Sequence, residues 1–326
     1  MNTQRRALSL PLLIPLLLTV IVTLVIAACG EPEPSDTTDD PGSTVTTLSG
    51  TISDPGDIQL AMSGASRLPA SASQNDLHAA SFSTQLFGAE LYQILVERAG
   101  DGNVVFSPAS IVTALAMTYA GAEGATAEEM AATLHFDLPD EALHAAFNSL
   151  DLALESRTFE NQGPTGEEEG VLVSVANSLW AQQDLAFEQD FLDTLAANYG
   201  AGVRLVDYVT AAEEARQAIN SWVADQTNDK ITELLPQGLL NALTRLVLVN
   251  AVYLDATWAN QFSPEDTSDG EFTTLADEKV TAQMMRQTEN LPYAAGDGWQ
   301  AVELPYLGNE LAMLVVVPEQ GRLSQV

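Results

Sequence analysis

Few side chains in this sequence have the types and spacing that catalysis requires. The chain has three histidines, His78, His135 and His144, and its one cysteine is Cys29. His78 lies in a polar segment and the other two flank a helix start, so we expect surface or capping roles for all three. The sequence contains no G-x-S-x-G elbow, no H-E-x-x-H and no P-loop, and one cysteine makes no metal cluster. The sequence therefore predicts a protein that is not an enzyme and that uses no cofactor.

A polar residue inside an apolar segment is a stronger functional candidate. Asn250 lies in the middle of Leu246–Leu254, whose sequence L-V-L-V-N-A-V-Y-L does not alternate. Such a run predicts a strand with both faces buried. A buried amide without partners costs roughly 1–3 kcal/mol, so we expect other polar groups beside it. The alternative, an asparagine at a bulge or strand end, is disfavoured by the apolar residues on both sides.

The segment Asn103–Leu134 organises the elements that position such residues. The apolar residues up to Phe106 predict the end of a strand. Ser107-Pro108 then predicts a helix start, because serine caps free N–H groups and the fixed φ of proline suits the first turn. The helix that follows carries no charge from Ile111 to Tyr119, which places it in the protein interior. A capping box at Thr126 predicts a second helix.

This segment resembles the serpins, the suicide-type protease inhibitors, through N-x-x-F-S-P-x-S-I…A-L-x-M…G-A-x-G-x-T-x-E-E-M. The resemblance continues through Ile219–Ile231, a helix that in serpins lies across the main sheet. It includes Leu246–Leu254 and extends to the strand that ends at Pro318. It implies an α+β serpin fold, with large mixed β-sheets and helices packed around them, incomplete at the C-terminus.

The resemblance also assigns roles to particular residues. It places Asn250 beside Ser107 and Ser110 in the shutter, beneath the line along which the main sheet opens. It places Trp258 at the top of that line, in the breach. Asp255-Ala256 stands where serpins usually have Lys-Gly, which puts the local turn geometry in question. These residues would govern opening of the sheet and would perform no bond chemistry.

The inhibitory mechanism of serpins depends on a segment that this sequence does not contain. A target serine or cysteine protease attacks the reactive loop and forms an acyl-enzyme, and the cleaved loop then inserts into the main sheet. In serpins that loop follows the position of Val326, so we expect the chain to be truncated, with no scissile residue. Two functions stay open: a truncated protease inhibitor, or a non-inhibitory serpin-fold lipoprotein with a binding or structural role.

The N-terminus predicts export. Arg5-Arg6 precedes an apolar run, Leu8–Ala28, which has the layout of a signal peptide. The run ends in Ile-Ala-Ala-Cys29, which resembles a bacterial lipobox and predicts a lipidated cysteine that attaches the protein to the membrane. The alternative is an uncleaved transmembrane anchor. Both interpretations place the rest of the chain outside the cytoplasm, secreted or on the cell envelope.

Composition divides the mature chain into two parts. Residues 30–81 are rich in Ser, Thr, Asp, Pro and Gly. Such a segment buries too little apolar surface to offset its conformational entropy, so we expect a flexible tether. The serpin domain, residues 82–326, is expected to begin with a helix that Ser83 caps. With a single cysteine it can form no internal disulfide.

The charge of the chain excludes several classes of partner. The formal net charge is −33, with only 12 Lys and Arg residues. Nucleic acids and anionic membrane surfaces require clustered basic residues, so neither is expected as a partner. Glu167, Glu168 and Glu169 lie in a predicted loop, Phe159–Gly170, in the neighbourhood where heparin-binding serpins carry a basic helix. Heparin binding is therefore unexpected. A calcium site is conceivable there, but a solvated loop is the favoured interpretation.

Overall fold

The computed structural model describes residues 10–11, 22–26, 47–49, 58–100, 102–162, 168–274 and 277–322. Within these ranges the helices are α1 Gln74–Ala99, α2 Pro108–Tyr119, α3 Gly124–Leu134, α4 Asp140–Glu155, α5 Gln189–Tyr199 and α6 Ala212–Gln226. The strands are β1 Leu10–Pro11, β2 Val22–Ile26, β3 Thr47–Ser49, β4 Gln59–Ala61, β5 Phe159–Gln162, β6 Glu168–Gln182, β7 Val203–Val206, β8 Leu246–Ala256, β9 Ser268–Thr273, β10 Lys279–Met285, β11 Tyr293–Gly296, β12 Trp299–Pro305 and β13 Ala312–Pro318.

The strands form three sheets in the described part of the chain. The largest has the order β2-β8-β6-β7-β4-β3, with β5 paired to the beginning of β6. Strands β6 and β7 are parallel, whereas the β4–β7 and β2–β8 pairs are antiparallel. The other sheets have the orders β1-β10-β9 and β11-β12-β13. Mixed sheets together with six helices confirm the predicted α+β class.

The chain divides into two compact units. One comprises Met1–Leu18, Ser156–Val173 and Leu254–Val326. It contains the two smaller sheets and the hairpin of β5 with the beginning of β6. The other comprises Thr19–Glu155 and Ser174–Tyr253 and contains all six α-helices, whereas a short 3-10 helix, Pro264–Asp266, lies in the first unit.

The centre of the helical unit is formed by the two segments for which the sequence predicts complete burial. Helix α2 buries Val112, Ala116 and Met117 completely, because its uncharged faces all meet other elements. In β8 every residue from 247 to 251 is buried. Both predictions are confirmed, and the N-cap prediction for α2 is confirmed as well, since Ser107 Oγ accepts the N–H of Ser110.

The beginning of the ordered domain differs from the prediction. Helix α1 starts at Gln74, and its N-cap is Ser73, whose side chain accepts the N–H of Asp76. Ser83 does not cap the helix; it is buried inside it, and its hydroxyl donates to the carbonyl of His135. The apolar repeat that begins near Phe87 hid the earlier cap, because the first two turns are mostly polar residues and alanine. Residues 58–81, predicted as tether, therefore belong to the folded part.

The prediction of a loop over Phe159–Gly170 is also wrong, because strands β5 and β6 occupy both ends of this segment. Strands β5 and β6 form an antiparallel hairpin in which Phe159 is opposite Val171 and Gln162 is opposite Glu168. A Cβ at Gly170 would lie 2.3 Å from the carbonyl oxygen of Phe159, so glycine permits the close approach of the two strands. Residues 163–167 lie outside the described part of the chain.

Two helix starts and one strand differ from what the local sequence predicts. Helix α3 begins after Glu123 rather than at the Thr126 box, and α6 begins after Ala211. Before α6, Thr210 donates its N–H to Asp207 Oδ1 at 3.0 Å. The residues before Ser107 form no strand.

Most of the predicted signal peptide, including Cys29, lies outside the described residues. Its described pieces are β1, which pairs with β10, and β2, which pairs with β8. None of the helices that the structure describes is long and apolar enough to span a bilayer. Lipidation at Cys29 stays a prediction.

The three histidines occupy different environments. His78 is exposed on α1, and His135 ends α3 with a left-handed φ of 56°, so surface and capping roles hold for these two. His144 is wrongly predicted: it is only 5% exposed, and its Nδ1 lies 2.7 Å from Tyr199 Oη. Tertiary packing of α4 against α5 buries it. Burial lowers the pKa of His144 below its usual 6.5, and the nearby Asp140 opposes that shift.

The buried His144 predicts a loss of stability in mild acid. The folded state disfavours protonated His144, so the unfolded state binds more protons and the free energy of unfolding decreases as the pH falls below about 6.5. Urea denaturation of the wild type and of His144→Gln at several values between pH 7.5 and 5 should show a weaker pH dependence in the variant. The exposed His78→Gln serves as the control and should retain the wild-type dependence; equal slopes in all three proteins would contradict the prediction.

Candidate functional site

The first part of the candidate site is an amide pair at the centre of the largest sheet. Asn250 on β8 is 2% exposed, and its Nδ2 donates to Oδ1 of Asn177 at 2.6 Å. Asn177 lies on β6, the strand next to β8 in the sheet. The prediction that Asn250 is buried among polar groups is confirmed. Sequence reasoning missed Asn177, although its position in the apolar run V-A-N-S-L-W is the same kind of signal.

The amide of Asn250 is only half satisfied. Its Oδ1 is buried and has no hydrogen-bond partner among the described residues. A buried acceptor without a hydrogen bond destabilises the fold by about 1–3 kcal/mol. A donor that reached this oxygen would remove that cost. The centre of β8 is therefore a place where a small rearrangement of polar groups changes stability considerably.

The two serines of the predicted shutter bond to each other. Ser107 Oγ lies 2.7 Å from Ser110 Oγ, and Ser110 is buried in the first turn of α2. The hydrogen bonds found for these serines do not include Asn250, whose described partner is Asn177. Helix α2 nevertheless packs on the same strands, because Met117 shares a buried cluster with residues of β6 and β8. The joint role of the three residues stays a prediction.

The second part of the candidate site is an aromatic stack just after β8. Trp258 stacks on Tyr306 with centroids 4.6 Å apart and an interplanar angle of 14°. Phe262 meets the Trp258 ring edge-on at 6.2 Å. Tyr306 is buried, and burial raises the pKa of its hydroxyl. Stacked aromatic rings of this kind contribute about 0.5–1.5 kcal/mol beyond their buried area.

The backbone around Trp258 is held by three strands. The N–H of Thr257 donates to the carbonyl of Gly170 at 2.8 Å, and the carbonyl of Thr257 accepts the N–H of Leu307 at 2.7 Å. The hydroxyl of Thr257 also accepts the N–H of Gly170. Strand β8 continues regularly through Asp255-Ala256, so the departure from the serpin pattern leaves the strand intact there. The predicted breach assignment of Trp258 is not otherwise tested.

A third feature, which sequence reasoning missed, holds α6 on the sheet. The guanidinium of Arg204 lies 5.4 Å from the ring centroid of Trp180 and 4.8 Å from that of Trp222. Its Nη1 donates to Ser178 Oγ at 2.6 Å. Burial lowers the pKa of Arg204, and no carboxylate among the described residues pairs with it. Trp222 belongs to α6 and Trp180 to β6, which confirms that this helix lies across the main sheet.

The site contains groups for packing and hydrogen bonding rather than for bond chemistry. Within the described part of the chain, no three His, Cys, Asp or Glu residues are grouped closely enough to hold a metal ion. Of the three glutamates considered for calcium, Glu167 lies outside the described residues. The amide pair joins β8 to β6, and Arg204 joins β6 to α6.

Comparisons with known proteins agree with this architecture. A family model described as Serpin (serine protease inhibitor) matches residues 83–326. Leukocyte elastase inhibitor of Xenopus tropicalis is 38% identical over 235 residues, which are 72% of this chain and 60% of that protein. Leukocyte elastase inhibitor A of Mus musculus is 37% identical over 236 residues, 72% of this chain and 59% of that protein.

Solved structures show the same fold. The structure of ovalbumin from emu (Dromaius novaehollandiae) superposes with a TM-score of 0.67 at 29% identity, covering 76% of this chain and 65% of that one. A serpin of Arabidopsis in its native stressed conformation gives a TM-score of 0.67 at 30% identity, covering 78% and 64%. The chain spans about 60% of the length of the curated relatives that it matches.

The amide pair predicts a coupled stability effect. Asn250→Ala and Asn177→Ala should each lower the free energy of unfolding by about 1–3 kcal/mol, because Asn177→Ala leaves the buried amide of Asn250 unsatisfied and Asn250→Ala leaves the half-buried amide of Asn177 without its partner. The double variant should lose less than the sum of the two. Denaturant unfolding measures this cycle. We also expect Asn250→Ala to self-associate faster on mild heating, because it weakens the joint between β8 and β6.

The control for this cycle is Asn103→Ala. Asn103 is exposed, and its change should alter stability by no more than about 0.5 kcal/mol. Strict additivity of the Asn250 and Asn177 effects would show that the hydrogen bond between them contributes nothing.

Proposed function

Because the chain belongs to the serpin family, we propose that it is part of an inhibitor of serine or cysteine endopeptidases that traps its target as an acyl-enzyme. The relatives named leukocyte elastase inhibitor, at 37–38% identity, support the inhibitory class. The observation that carries the proposal is the joint between β8 and β6, where the side chains of Asn250 and Asn177 are linked by a hydrogen bond inside the sheet.

In this proposal the protease supplies the nucleophile and the inhibitor supplies the conformational change. Attack on a reactive loop forms an ester between the protease and the loop and releases the other half of the cleaved bond. The loop then enters the largest sheet as a new strand. Insertion satisfies backbone N–H and C=O groups and buries side chains, and it must be faster than hydrolysis of the ester.

The residues of the candidate site have distinct roles in this proposal. The Asn177–Asn250 pair, with Ser107 and Ser110 beneath the sheet, sets the cost of separating β6 from β8. The Trp258 stack sets the cost of opening the end of β8. Residues at these positions touch no protease, so they determine how readily a loop is admitted and not which protease is recognised.

Sulfated polysaccharides are poor candidates for a cofactor. Helix α4, D-E-A-L-H-A-A-F-N-S-L-D-L-A-L-E, contains neither lysine nor arginine. Asp140, Glu141 and the exposed Glu155 instead make its surface acidic. A polyanion would be repelled by such a helix. We therefore propose a protease as the partner and exclude heparin and nucleic acid.

We further propose that the protein is exported and attached to the membrane through Cys29. The layout of the leader and the Ile-Ala-Ala-Cys29 sequence support this. Mass spectrometry of the purified protein should show loss of Met1–Ala28 and a diacylglycerol adduct on Cys29. The Cys29→Ser variant should lack the adduct. An unmodified Cys29 with the leader still attached would contradict the proposal.

Inhibition is tested with two forms of the protein. One ends at Val326, and the other extends along the reading frame to its natural stop codon. Each is incubated with a panel of serine and cysteine proteases and analysed for covalent complexes that resist denaturant. We expect complexes from the extended form only, because trapping requires a reactive loop and these 326 residues span about 60% of the length of the relatives named leukocyte elastase inhibitor.

The other outcomes are equally informative. Covalent complexes from the form that ends at Val326 would contradict the proposed mechanism. If neither form gave covalent complexes, inhibition of the proteases tested would be excluded. That result would favour a serpin-fold lipoprotein with a binding or structural role. Small residues in the hinge that precedes the loop would favour inhibition, since that segment must enter a sheet.

A further inference from the structure

Residues 59–72, which we call the strap, run along the helical unit before α1. They precede the region that matches the serpin model, residues 83–326. The strap begins with β4, which pairs antiparallel with β7 and extends the largest sheet beyond it; Leu60 is opposite Arg204 and Ala61 is opposite Val203. The strap therefore takes up the hydrogen-bonding edge of β7.

The strap is packed into the core and does not merely lie on the surface. Ala61 is 1% exposed and belongs to a buried cluster with Val203. Ala72, at the other end of the strap, packs against the cluster between α1, α2 and α4. Ile58, just before it, packs against the cluster beneath α6. The strap thus contributes side chains to two core clusters, and the preceding Ile58 contributes to the third.

The β7 side of this contact is shaped for a backbone. A Cβ at Gly202 would lie 2.8 Å from the carbonyl oxygen of Ala61 and 3.0 Å from Met62 Cβ. A larger residue at position 202 would therefore displace the strap. Close approach of two backbones is one of the reasons for glycine next to a strand.

Side chains of the strap bind acidic groups on α4 and α5. Ser63 Oγ donates to Asp193 Oδ1 on α5. The guanidinium of Arg67 uses three of its nitrogen atoms on one face of α4: Nε donates to Asn148 Oδ1 at 3.0 Å, Nη2 to Asp151 Oδ2 at 2.5 Å and Nη1 to Glu155 Oε1 at 2.9 Å. Such a forked arrangement is specific for arginine and cannot be reproduced by lysine.

The backbone of the strap is anchored as well. The N–H of Leu68 donates to the carbonyl of Ala197 on α5 at 2.8 Å, and the carbonyl of Leu68 accepts Nδ2 of Asn148 at 3.0 Å. Ser149 Oγ on α4 accepts the N–H groups of Ser71 and Ala72 at 3.1 and 3.2 Å. Strand pairing, side-chain contacts and backbone contacts together make a built site with α4, α5 and β7 as its walls.

The charge of the walls selects a basic ligand. Arg67 is the only charged residue of the strap, and it meets two carboxylates. Asp151 is mostly buried; burial raises the pKa of its carboxyl, and the hydrogen bond and charge of Arg67 oppose that shift. Without a cation at this point, the mostly buried carboxylate of Asp151 would lie next to the negative charge of Glu155 with little water to solvate it.

We propose that the β7 edge and the acidic faces of α4 and α5 form a docking groove for an extended segment with a small residue, a hydroxyl two positions later and an arginine four positions after that. Its occupant is the chain's own strap, through Ala61, Ser63 and Arg67. The strap joins the segment before residue 58 to the folded unit and keeps the β7 edge from pairing with other chains. This inference does not depend on protease inhibition.

The first test releases the strap in the full chain. In Arg67→Glu the contacts with Asp151 and Glu155 become repulsive, so amide hydrogen exchange at residues 59–72 should become at least about tenfold faster. Arg98→Glu makes the same charge change at an exposed residue of α1 and should leave this exchange unchanged. If Arg67→Glu does not fold, Arg67→Gln removes the ion pairs without repulsion and should show the same direction of change.

The second test fills the released groove in trans. A fluorescent synthetic peptide of residues 58–72 should bind the released variant but not the wild type, whose groove is occupied. The same peptide with glutamate in place of Arg67 should bind at least about tenfold more weakly. Raising the salt concentration should weaken binding of the first peptide, since the contact is between opposite charges.

Three results would overturn the proposal. Unchanged exchange of the strap in both Arg67 variants would show that these contacts do not hold it. A released strap with no peptide binding would show that the walls do not form a site. Wild-type dimers that lose strap protection on dilution would show that the occupant is the strap of a second copy, contrary to the assignment made here.

Discussion

The structure depends on the burial of β8 on both faces. A strand in that position has no access to water, so every backbone group must bond to a neighbouring strand and every side chain must find a packing partner. Leu248 packs with α2, and Val247 and Val249 pack with α6. The one polar side chain in the middle, Asn250, must therefore bond within the sheet, and it does so with Asn177. The two layers of helices follow from this constraint.

Two interactions within the helical unit join its strands to each other and to helix α6. They are the amide pair between β8 and β6 and the packing of Arg204 between Trp180 and Trp222. A buried hydrogen bond of this kind contributes about 1–3 kcal/mol and a cation–π contact about 0.5–2 kcal/mol, so these interactions resist separation without preventing it. This balance suits a protein whose proposed action is to admit a new strand.

Because basic residues are scarce, single arginines have a large effect on how the elements of this structure contact one another. With 12 basic residues against 45 acidic ones, most carboxylates stay in solvent, and the acidity serves solubility. Two arginines connect elements of the fold. Arg67 binds the strap to α4, and Arg204 packs between Trp180 and Trp222 beneath α6. The large negative charge thus coexists with a fold whose few buried positive charges determine where elements meet.

The sequence by itself determined the α+β class, the buried helix α2 with its Ser107 cap, the two-sided burial of β8 and the burial of Asn250, because apolar periodicity and capping are local patterns. Only the tertiary structure decided the partner of Asn250, the burial of His144, the pairing of β5 with β6 and the docking of residues 58–81. The hydrogen bond between Asn250 and Asn177 spans 73 positions, and that between Arg67 and Asp151 spans 84. No local pattern specifies which of many polar residues meet over such separations; packing of whole elements does.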